Sequence, residues 1–276
     1  MNKHKFLIAL SLSMTLLLGC ESIYPSESST AGDISNVSTT DEIDFSQEST
    51  DSIEAAAVDN VPNEPATTVT GKAPLVTIDV MPDSYQLDVE PLMQNPELPT
   101  GCEITSLTCL LNYLGFPADK EVMADTYLDY VLENGTNYTL FEKYIGDPHT
   151  DGYGCYSPVI VKAATEYLAD QNSSLEPVNL SGSPKEELFL VIASGHPIVI
   201  WGTVYNQYHD SYFAWTTPDG EDVYWNTYEH CMLLTGYDTI AGTVTVCDPL
   251  RGEVQYDLEQ FFYIYDDMYQ QAMTIY

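Results

Sequence analysis

The feature that most constrains this chain of 276 residues is a change of composition near residue 75. Residues 21–71 contain eleven Asp or Glu and no Lys or Arg, and Ser, Thr, Asn and Pro fill much of the remainder. Such a segment cannot bury enough apolar surface to offset the entropy lost on ordering, and its like charges repel one another. We therefore expect residues 20–74 to form a disordered, acidic, Ser/Thr-rich tether and residues 75–276 to form one domain with a sizeable core.

The N-terminus has the pattern of an export signal. Met1–Lys5 is a short basic stretch, and a largely apolar run of 13 residues follows from Phe6 to Leu18. Because a helix needs about 20 apolar residues to span a bilayer, this run predicts a signal peptide rather than a membrane anchor.

Gly19 and Cys20 follow that run, and this arrangement resembles the lipobox of bacterial lipoproteins. The resemblance implies cleavage after residue 19 and a lipid on the thiol of Cys20. The lipid would hold the chain at the extracellular face of the bacterial cell membrane. The alternative is a plain secretory signal followed by a cysteine that occurs there by chance.

The charge balance excludes some partners. The chain carries 8 Lys or Arg against 42 Asp or Glu, and phosphate binding uses Lys and Arg, so a nucleic-acid partner is not expected. No two cysteines have the C-x-x-C spacing of structural zinc sites, and no glycine-rich phosphate loop is present. The sequence therefore predicts neither a cofactor nor a metal ion.

Five cysteines follow Cys20, and an odd number in an exported protein leaves at least one thiol unpaired. They are Cys102, Cys109, Cys155, Cys231 and Cys247. Cys102 directly precedes a run with apolar residues at helical spacing, which Gly115 and Pro117 end.

Thr100 and Glu103 have the spacing of a capping box, which predicts Thr100 as the N-cap and Cys102 as the second helical residue. At that position the helix dipole and the free backbone N–H groups would lower the pKa of the thiol and could bind an oxyanion. Cys102 is therefore the candidate nucleophile. The alternative is that Cys102 is a small core residue, which is the favoured interpretation for Cys109.

A thiol hydrolase needs a base, and His230 is the candidate because it begins an apolar run of strand length. A second strand pattern covers residues 243–248, and residues 238–242 have turn chemistry. If Gly236 pairs opposite Gly242, His230 lies opposite Asp248, which could accept the ring N–H. The same register places Cys231 opposite Cys247, where either a disulfide or two packed thiols would fit.

Six segments between residues 85 and 265 carry a family resemblance. They are Leu87-Asp88-Val89 with Gln94, Pro99-Thr100-Gly101-Cys102-Glu103 with Leu111-Asn112-Tyr113-Leu114-Gly115, Gly146-Asp147-Pro148, Gly195-His196-Pro197-Ile198-Val199-Ile200-Trp201, Glu229-His230 with Leu234-Thr235-Gly236-Tyr237-Asp238, and Asp248-Pro249-Leu250-Arg251-Gly252. In this order they resemble the peptidase C39-like family of papain-like cysteine peptidases. The resemblance implies a papain-like α+β fold in which a central N-terminal helix packs on a twisted antiparallel sheet. It also implies a Cys–His–Asp triad with an oxyanion-hole Gln, which become Cys102, His230, Asp248 and Gln94.

The expected function is a cell-surface cysteine peptidase that works through a thioester. His230 would deprotonate Cys102, the Cys102 backbone N–H and the Gln94 side chain would hold the oxyanion, and His230 would then protonate the leaving amine and activate water. The expected partners are a peptide or protein substrate and the membrane, through Cys20. Two alternatives remain: an inactive binding or adhesion module that uses the aromatic-rich stretch 201–225, and an acyltransferase.

Overall fold

The computed structural model describes residues 67–68, 77–78, 81–132 and 135–276. The predicted signal peptide, the lipidation site Cys20 and most of the predicted tether lie outside the described residues. Thr67–Thr68, which falls within the range predicted as tether, pairs antiparallel with Thr77–Ile78. Within the described residues, no helix has the length and apolar character needed to span a bilayer.

The described residues contain helices and antiparallel sheets in one α+β arrangement. The helices are α1 (Cys102–Tyr113), α2 (Lys120–Thr126), α3 (Ser157–Asp170), α4 (Lys185–Ala193) and α5 (Leu258–Asp267). The strands are β1 (Thr67–Thr68), β2 (Thr77–Ile78), β3 (Ser84–Gln86), β4 (Tyr130–Val131), β5 (Tyr144–Gly146), β6 (Gly152–Gly154), β7 (Pro177–Asn179), β8 (Ile198–Thr203), β9 (Tyr212–Thr216), β10 (Asp222–Trp225), β11 (Glu229–Asp238), β12 (Thr243–Asp248), β13 (Gly252–Asp257) and β14 (Ala272–Ile275).

The largest sheet has the strand order β13-β12-β11-β8-β14-β7, and β3 pairs with β11 beside this path. Its neighbouring strands are antiparallel, and α1 packs against β11 and β8. Strands β4, β5 and β6 form a smaller sheet, and β9 and β10 form a separate hairpin. A central helix on an antiparallel sheet is the architecture that the sequence predicts.

Helix α1 is central because residues 102–111 are all buried, which is the pattern of a helix enclosed on every side. Its predicted start is wrong by one residue. The helix begins at Cys102 with Gly101 as N-cap, and no side chain caps it. A Cβ on Gly101 would lie 2.9 Å from the Cβ of Leu98, so only glycine fits there. The Thr100 hydroxyl donates instead to the carbonyl of Asp147.

The two strands of the predicted β11–β12 hairpin are confirmed, but their register is wrong. Gly236 lies opposite Thr245 and not Gly242, because the pairing extends to Asp238 opposite Thr243. The Asp238 carboxylate accepts the N–H groups of the two residues at 240 and 241, at 2.9 and 2.7 Å, and so closes a tighter turn than expected.

The register also separates the two cysteines that were expected to face each other. Cys247 lies opposite Leu233, Cys231 lies opposite Trp201 on β8, and both thiols are free. The Cys247 thiol donates instead to the backbone carbonyl of Val89 at 3.7 Å. The disulfide between Cys231 and Cys247 is therefore absent.

Candidate active site

Cys102 lies where the start of α1 meets β11. Its side chain is 6% exposed, and Sγ accepts the backbone N–H of Cys231 at 3.4 Å. The Sγ–H group donates to Oε2 of Glu103 at 3.3 Å. The thiol therefore makes one hydrogen bond as a donor and one as an acceptor.

The expected low pKa of Cys102 is wrong for this arrangement. Burial, followed by the charges of Glu103 and Glu229, raises the pKa of the thiol well above its usual value. The dipole of α1 acts in the opposite direction, but two nearby carboxyl groups and an almost complete loss of water outweigh it. The raised pKa therefore favours the protonated form of the thiol.

The predicted contact between His230 and Asp248 is confirmed, since Nε2 of His230 and Oδ1 of Asp248 are 2.8 Å apart and both side chains are buried. Asp248 also accepts the N–H of Leu250 at 2.8 Å, Nε–H of Arg251 at 2.9 Å and the hydroxyl of Tyr256 at 3.3 Å. Burial alone would raise the pKa of Asp248, but the hydrogen bond and charge of His230, with the Leu250 and Arg251 hydrogen bonds, lower it. Asp248 is thus a carboxylate that holds one ring nitrogen of His230 and leaves Nδ1 for chemistry.

An irregularity in β11 brings these two residues together despite the wrong register. The pairing shifts by one residue between Leu234 and Gly236. Continued from Leu233 opposite Cys247, it makes His230 and Asp248 diagonal neighbours on one face of the sheet. Without the shift they would lie on opposite faces.

Cys102 and His230 line one cleft of about 140 Å³. The other residues of its wall are Gln94, Pro99, Thr100, Gly152, Tyr153, Gly154, Val204, Trp225, Thr227, Glu229 and Leu250. The four sequence-predicted catalytic residues therefore meet here, with Asp248 behind His230. The sulfur and the imidazole share this wall, although Sγ is hydrogen-bonded to Glu103 and to Cys231 and not to the ring.

Gln94 is held firmly at the edge of this cleft. It is 2% exposed, its Nε2 donates to the carbonyl of Pro99 at 2.8 Å, and its backbone N–H donates to the carbonyl of Pro249 at 2.8 Å. The second Nε2 hydrogen is not used in the Pro99 bond, and Oε1 is buried without a partner among the described residues. A fixed amide of this kind can donate to an oxygen placed beside Cys102.

The carboxyl groups of Glu103, which is buried, and Glu229, which is half-buried, complete the thiol side of the cleft. Oε1 of Glu103 accepts the N–H of Cys155 at 2.8 Å, and Oε1 of Glu229 is buried and has no hydrogen-bond partner among the described residues. A Cβ on Gly154 would lie 2.6 Å from Oε1 of Glu103 and 2.8 Å from Oε2 of Glu229, so glycine is required between them. Burial raises the pKa of Glu103 to about 7, and burial together with the charge of Glu103 raises that of Glu229 further.

Sequence reasoning assigned Glu103 to a helix cap and gave Glu229 no role of its own. The signal that could have found them is adjacency, because one glutamate directly follows the candidate nucleophile and the other directly precedes the candidate base. The thiol and the two carboxyl groups have ligand atoms within 4.8 Å of one another, so among the described residues they form a group that could bind a metal ion. The hydrogen bond from Sγ to Glu103 explains why Cys102 and Glu103 are in contact, and this contact needs no metal ion.

The aromatic-rich stretch forms a hairpin and a groove beside the cleft. Trp215 on β9 and Trp225 on β10 line a groove of about 530 Å³. Thr100, Gly152 and Tyr153 line both this groove and the cleft. Nε1 of Trp225 donates to the carbonyl of Tyr153 at 2.8 Å and fixes the hairpin to β6. The groove gives the thiol an apolar approach on one side.

The profile of the Peptidase_C39 like family matches residues 86–273. A curated relative, the uncharacterized protein YvpB of Bacillus subtilis strain 168, is 29% identical over 150 residues, which are 53% of this chain and 57% of that protein. The chain therefore spans little more than half the length of this relative. A crystal structure from Bacillus anthracis, provisionally named as a C39-like peptidase, is 31% identical with a TM-score of 0.63 and covers 70% of this chain and 97% of its own. Xylellain, a cysteine protease from Xylella fastidiosa, is 14% identical with a TM-score of 0.37, over 71% of this chain and 86% of its own.

Proposed function

The chain belongs to the C39-like peptidase family, and we propose that it is a cysteine hydrolase that cleaves peptide bonds through a thioester on Cys102. One observation carries the proposal. The Cys102 thiol and the His230–Asp248 pair line a single cleft at the start of a buried helix. A nucleophile, an acid–base group and an orienting carboxylate in one cleft are the parts that acyl transfer needs.

In the proposed reaction, Nδ1 of His230 takes the proton of the Cys102 thiol, and Sγ attacks the carbonyl carbon of the substrate. The developing oxyanion accepts hydrogen bonds from the Cys102 backbone N–H, which has no acceptor within the first turn of α1, and from the Gln94 amide. Gln94 suits this role because its bond to Pro99 and the pairing of its backbone with Pro249 orient it before substrate binds.

His230 acts as the acid–base group. Asp248 holds Nε2, so Nδ1 delivers a proton to the leaving amine and later takes one from the attacking water. The Asp248 carboxylate favours the imidazolium form, which exists before the proton passes to the amine and again after one is taken from water.

The proposed substrate is an extended peptide. Strand β6 pairs with β5 along one edge, and Gly152 and Gly154 line the cleft beside Cys102. A peptide backbone can therefore approach β6 closely, while its side chains reach the aromatic groove.

We also propose export and attachment to the outer face of the membrane through Cys20, which rests on the residues 1–20 alone. In a bacterial host, wild-type chain should partition with the membrane fraction and Cys20→Ser should not. Equal partitioning of both would remove the lipid anchor from the proposal.

The test of the hydrolase is a peptide-library digestion by the full chain, read by mass spectrometry. Cys102→Ala should abolish the cleavage products, while Cys109→Ala, which removes a second buried thiol of α1, should retain them. A trapped acyl adduct should map to Cys102. Cleavage that persists in Cys102→Ala would refute the proposed nucleophile, and products joined to an added amine would assign the chain to acyl transfer instead.

A further inference from the structure

A further cavity, of about 240 Å³, lies outside the proposed catalytic cleft. Among the described residues, its wall shares no residue with that cleft or with the groove beside it. Pockets that take drug-sized ligands measure about 300–1,000 Å³, so this cavity fits a more compact group. We call it the aromatic pocket, because its wall includes the rings of Phe141, Tyr156, Tyr224 and Tyr269.

Three of these rings pack against one another at the pocket. The ring centroids of Phe141 and Tyr269 are 6.0 Å apart at 71°, and those of Tyr156 and Tyr269 are 5.5 Å apart at 68°. The Tyr156 ring is buried, whereas Phe141, Tyr269 and Tyr224 are 40%, 42% and 48% exposed. Rings that meet at steep angles present differently oriented aromatic surfaces to a group in the pocket, and their exposure leaves these surfaces accessible from solvent.

The backbone holds these rings in place before a ligand binds. The N–H of Tyr156 donates to the carbonyl of Leu140 at 2.8 Å and so joins two of the segments that supply rings. Tyr269 and Gln270 have φ angles of 59° and 50°, in the left-handed region that favours glycine, and the carbonyl of Gln270 accepts the N–H of Gly182 at 2.9 Å. Such a backbone persists only where the surrounding structure holds it, so the Tyr269 ring is positioned in advance.

The charges at the aromatic pocket are negative. Two exposed carboxylate residues, Glu221 and Asp222, belong to its wall. Residues 81–276 contain five Lys or Arg, none of which lines the pocket, and each pairs with a carboxylate elsewhere. The whole chain has a formal net charge of −34, so its field also attracts cations and repels anions.

Aromatic rings and carboxylates together favour one class of ligand. The face of an aromatic ring attracts a cation within about 6 Å, most strongly when the cation is desolvated. A quaternary ammonium group has no N–H donor that needs an acceptor, whereas a lysine ammonium group is compact and strongly hydrated. Residues 21–71 of this chain contain no Lys or Arg and eleven Asp or Glu, so they do not supply the occupant.

We propose that the aromatic pocket binds a small organic cation with a quaternary ammonium group, of the choline type. The ring faces hold the methyl groups of the cation, and Glu221 and Asp222 provide the opposite charge. A phosphate beside the ammonium group would be repelled by these carboxylates, so the ligand is a cation without one. This site is separate from the peptide-bond chemistry at Cys102 and does not depend on it.

The first test compares ligands on the unaltered full chain by NMR titration. Choline chloride should bind about 3- to 30-fold more tightly than its neutral analogue, in which a carbon atom replaces the nitrogen, because only the cation interacts with the ring quadrupoles. Equal binding of the two would overturn the proposal, since the pocket would then be merely apolar. Phosphocholine, butylammonium and methylguanidinium should each bind more weakly than choline, and tighter binding of any one would overturn the assignment to a quaternary cation without phosphate.

Matched variants separate the ring faces from apolar contact. Phe141→Leu and Tyr224→Leu keep a large apolar side chain but remove a ring, so each should weaken choline binding by about 3- to 30-fold. The controls Phe141→Tyr and Tyr224→Phe should stay within about twofold of wild type, because they keep the ring. Leucine variants that bind choline as tightly as these controls would overturn the proposal. The ligand comparison on wild type decides the matter even where a variant fails to fold.

The last measurement concerns the charge and the location of the site. Added salt should weaken choline binding to wild type more than to Glu221→Gln, whereas the exposed Glu166→Gln on α3 should behave as wild type. Cys102→Ala should bind choline with unchanged affinity. Loss of binding in Cys102→Ala would place the cation in the catalytic cleft and overturn the separate site, and unchanged salt dependence in Glu221→Gln would remove this carboxylate from it.

Discussion

The two sides of the cleft contain carboxyl groups whose pKa values are shifted in opposite directions. Asp248 accepts hydrogen bonds from His230, Leu250, Arg251 and Tyr256, and its pKa is lowered. Glu103 and Glu229 lie on the thiol side, where no described Lys or Arg pairs with them, and their pKa values are raised. Burial alone would raise the pKa on both sides, so the surrounding donors and cations decide which carboxyl group is ionised at neutral pH.

This difference separates the two sides of the cleft in charge. A carboxylate that stays ionised suits the orientation of a histidine, whereas raised pKa values favour the protonated form of the carboxyl groups beside the sulfur. The fold thus provides a fixed charge behind the imidazole and disfavours one beside the sulfur.

The largest expected effect comes from removing the fixed charge. Asp248→Ala leaves a buried histidine and Arg251 without their acceptor, which should cost about 3–5 kcal/mol of unfolding free energy. Because the imidazole also loses its orientation, turnover should fall by about 10²–10⁴. Urea unfolding and steady-state kinetics test both values, and equally small effects of Asp248→Ala and Asp248→Asn would remove Asp248 from the triad.

Asp248→Asn should also change how the unfolding free energy depends on pH in acid. Since the pKa of Asp248 is lowered by folding, its contribution is present above the unfolded value of about 3.9 and is lost as the pH falls through the folded value. Urea midpoints of the Asn variant should therefore depend less on pH below about 4. Urea midpoints that change with pH in acid as much as those of wild type would contradict this expectation.

The next effect concerns Gln94. Within the part of the chain that the structure describes, its buried Oε1 has no hydrogen-bond partner, and one oxygen of Glu229 on the thiol side has none either. Gln94→Ala should lower kcat by about 10²–10³ with a smaller change in KM, because an oxyanion donor acts mainly in the transition state. Gln86→Ala, an exposed glutamine upstream on β3, is the matched control. A change confined to KM would assign Gln94 to substrate binding.

The stability of the thiol side should depend on pH in the opposite sense to that of Asp248. The unfolded Glu103 loses its proton near its ordinary pKa of 4.5 and the folded one near 7, so wild type should lose stability as the pH rises through this window. The loss attributable to this group is about 3 kcal/mol. Between pH 5 and pH 8, the unfolding free energy of Glu103→Gln, measured in urea, should fall less with pH than that of wild type. An equal fall in both proteins would show that Glu103 titrates normally.

The smallest expected effect comes from Arg251. Its side chain is 31% exposed and its Nε–H donates to Asp248, while His230 makes the buried contact with the same carboxylate. Arg251→Gln should cost about 0.2–1 kcal/mol, typical of a solvent-accessible ion pair, and should change kcat by only a few fold. A loss as large as that of Asp248→Ala would make Arg251, and not His230, the main partner of the carboxylate.

Much of the fold could be predicted because it depends on local patterns. Apolar residues at helical spacing predicted α1, and apolar runs of strand length predicted β11 and β12. The register failed because it depends on two local details, the Asp238 side chain that closes the turn and the irregularity before Gly236. The prediction that His230 lies beside Asp248 was nevertheless correct. The one-residue shift in β11 returns the two side chains to the same face of the sheet, as the predicted register had placed them.

By itself the sequence determined the helical run after Cys102, the two strands with His230 and Asp248, and the order of these residues along the chain. Only the tertiary structure decided that the thiol binds Glu103, that Glu229 lies beside it, and that the pKa of Cys102 is raised and not lowered. The physical reason is that a pKa depends on burial and on charges brought from distant segments, whereas periodicity and capping patterns concern neighbours along the chain. The sequence places Glu103 next to Cys102, but the packing of α1 against β11 and the hydrogen bond from the N–H of Cys155 make that carboxyl group a buried partner of the sulfur.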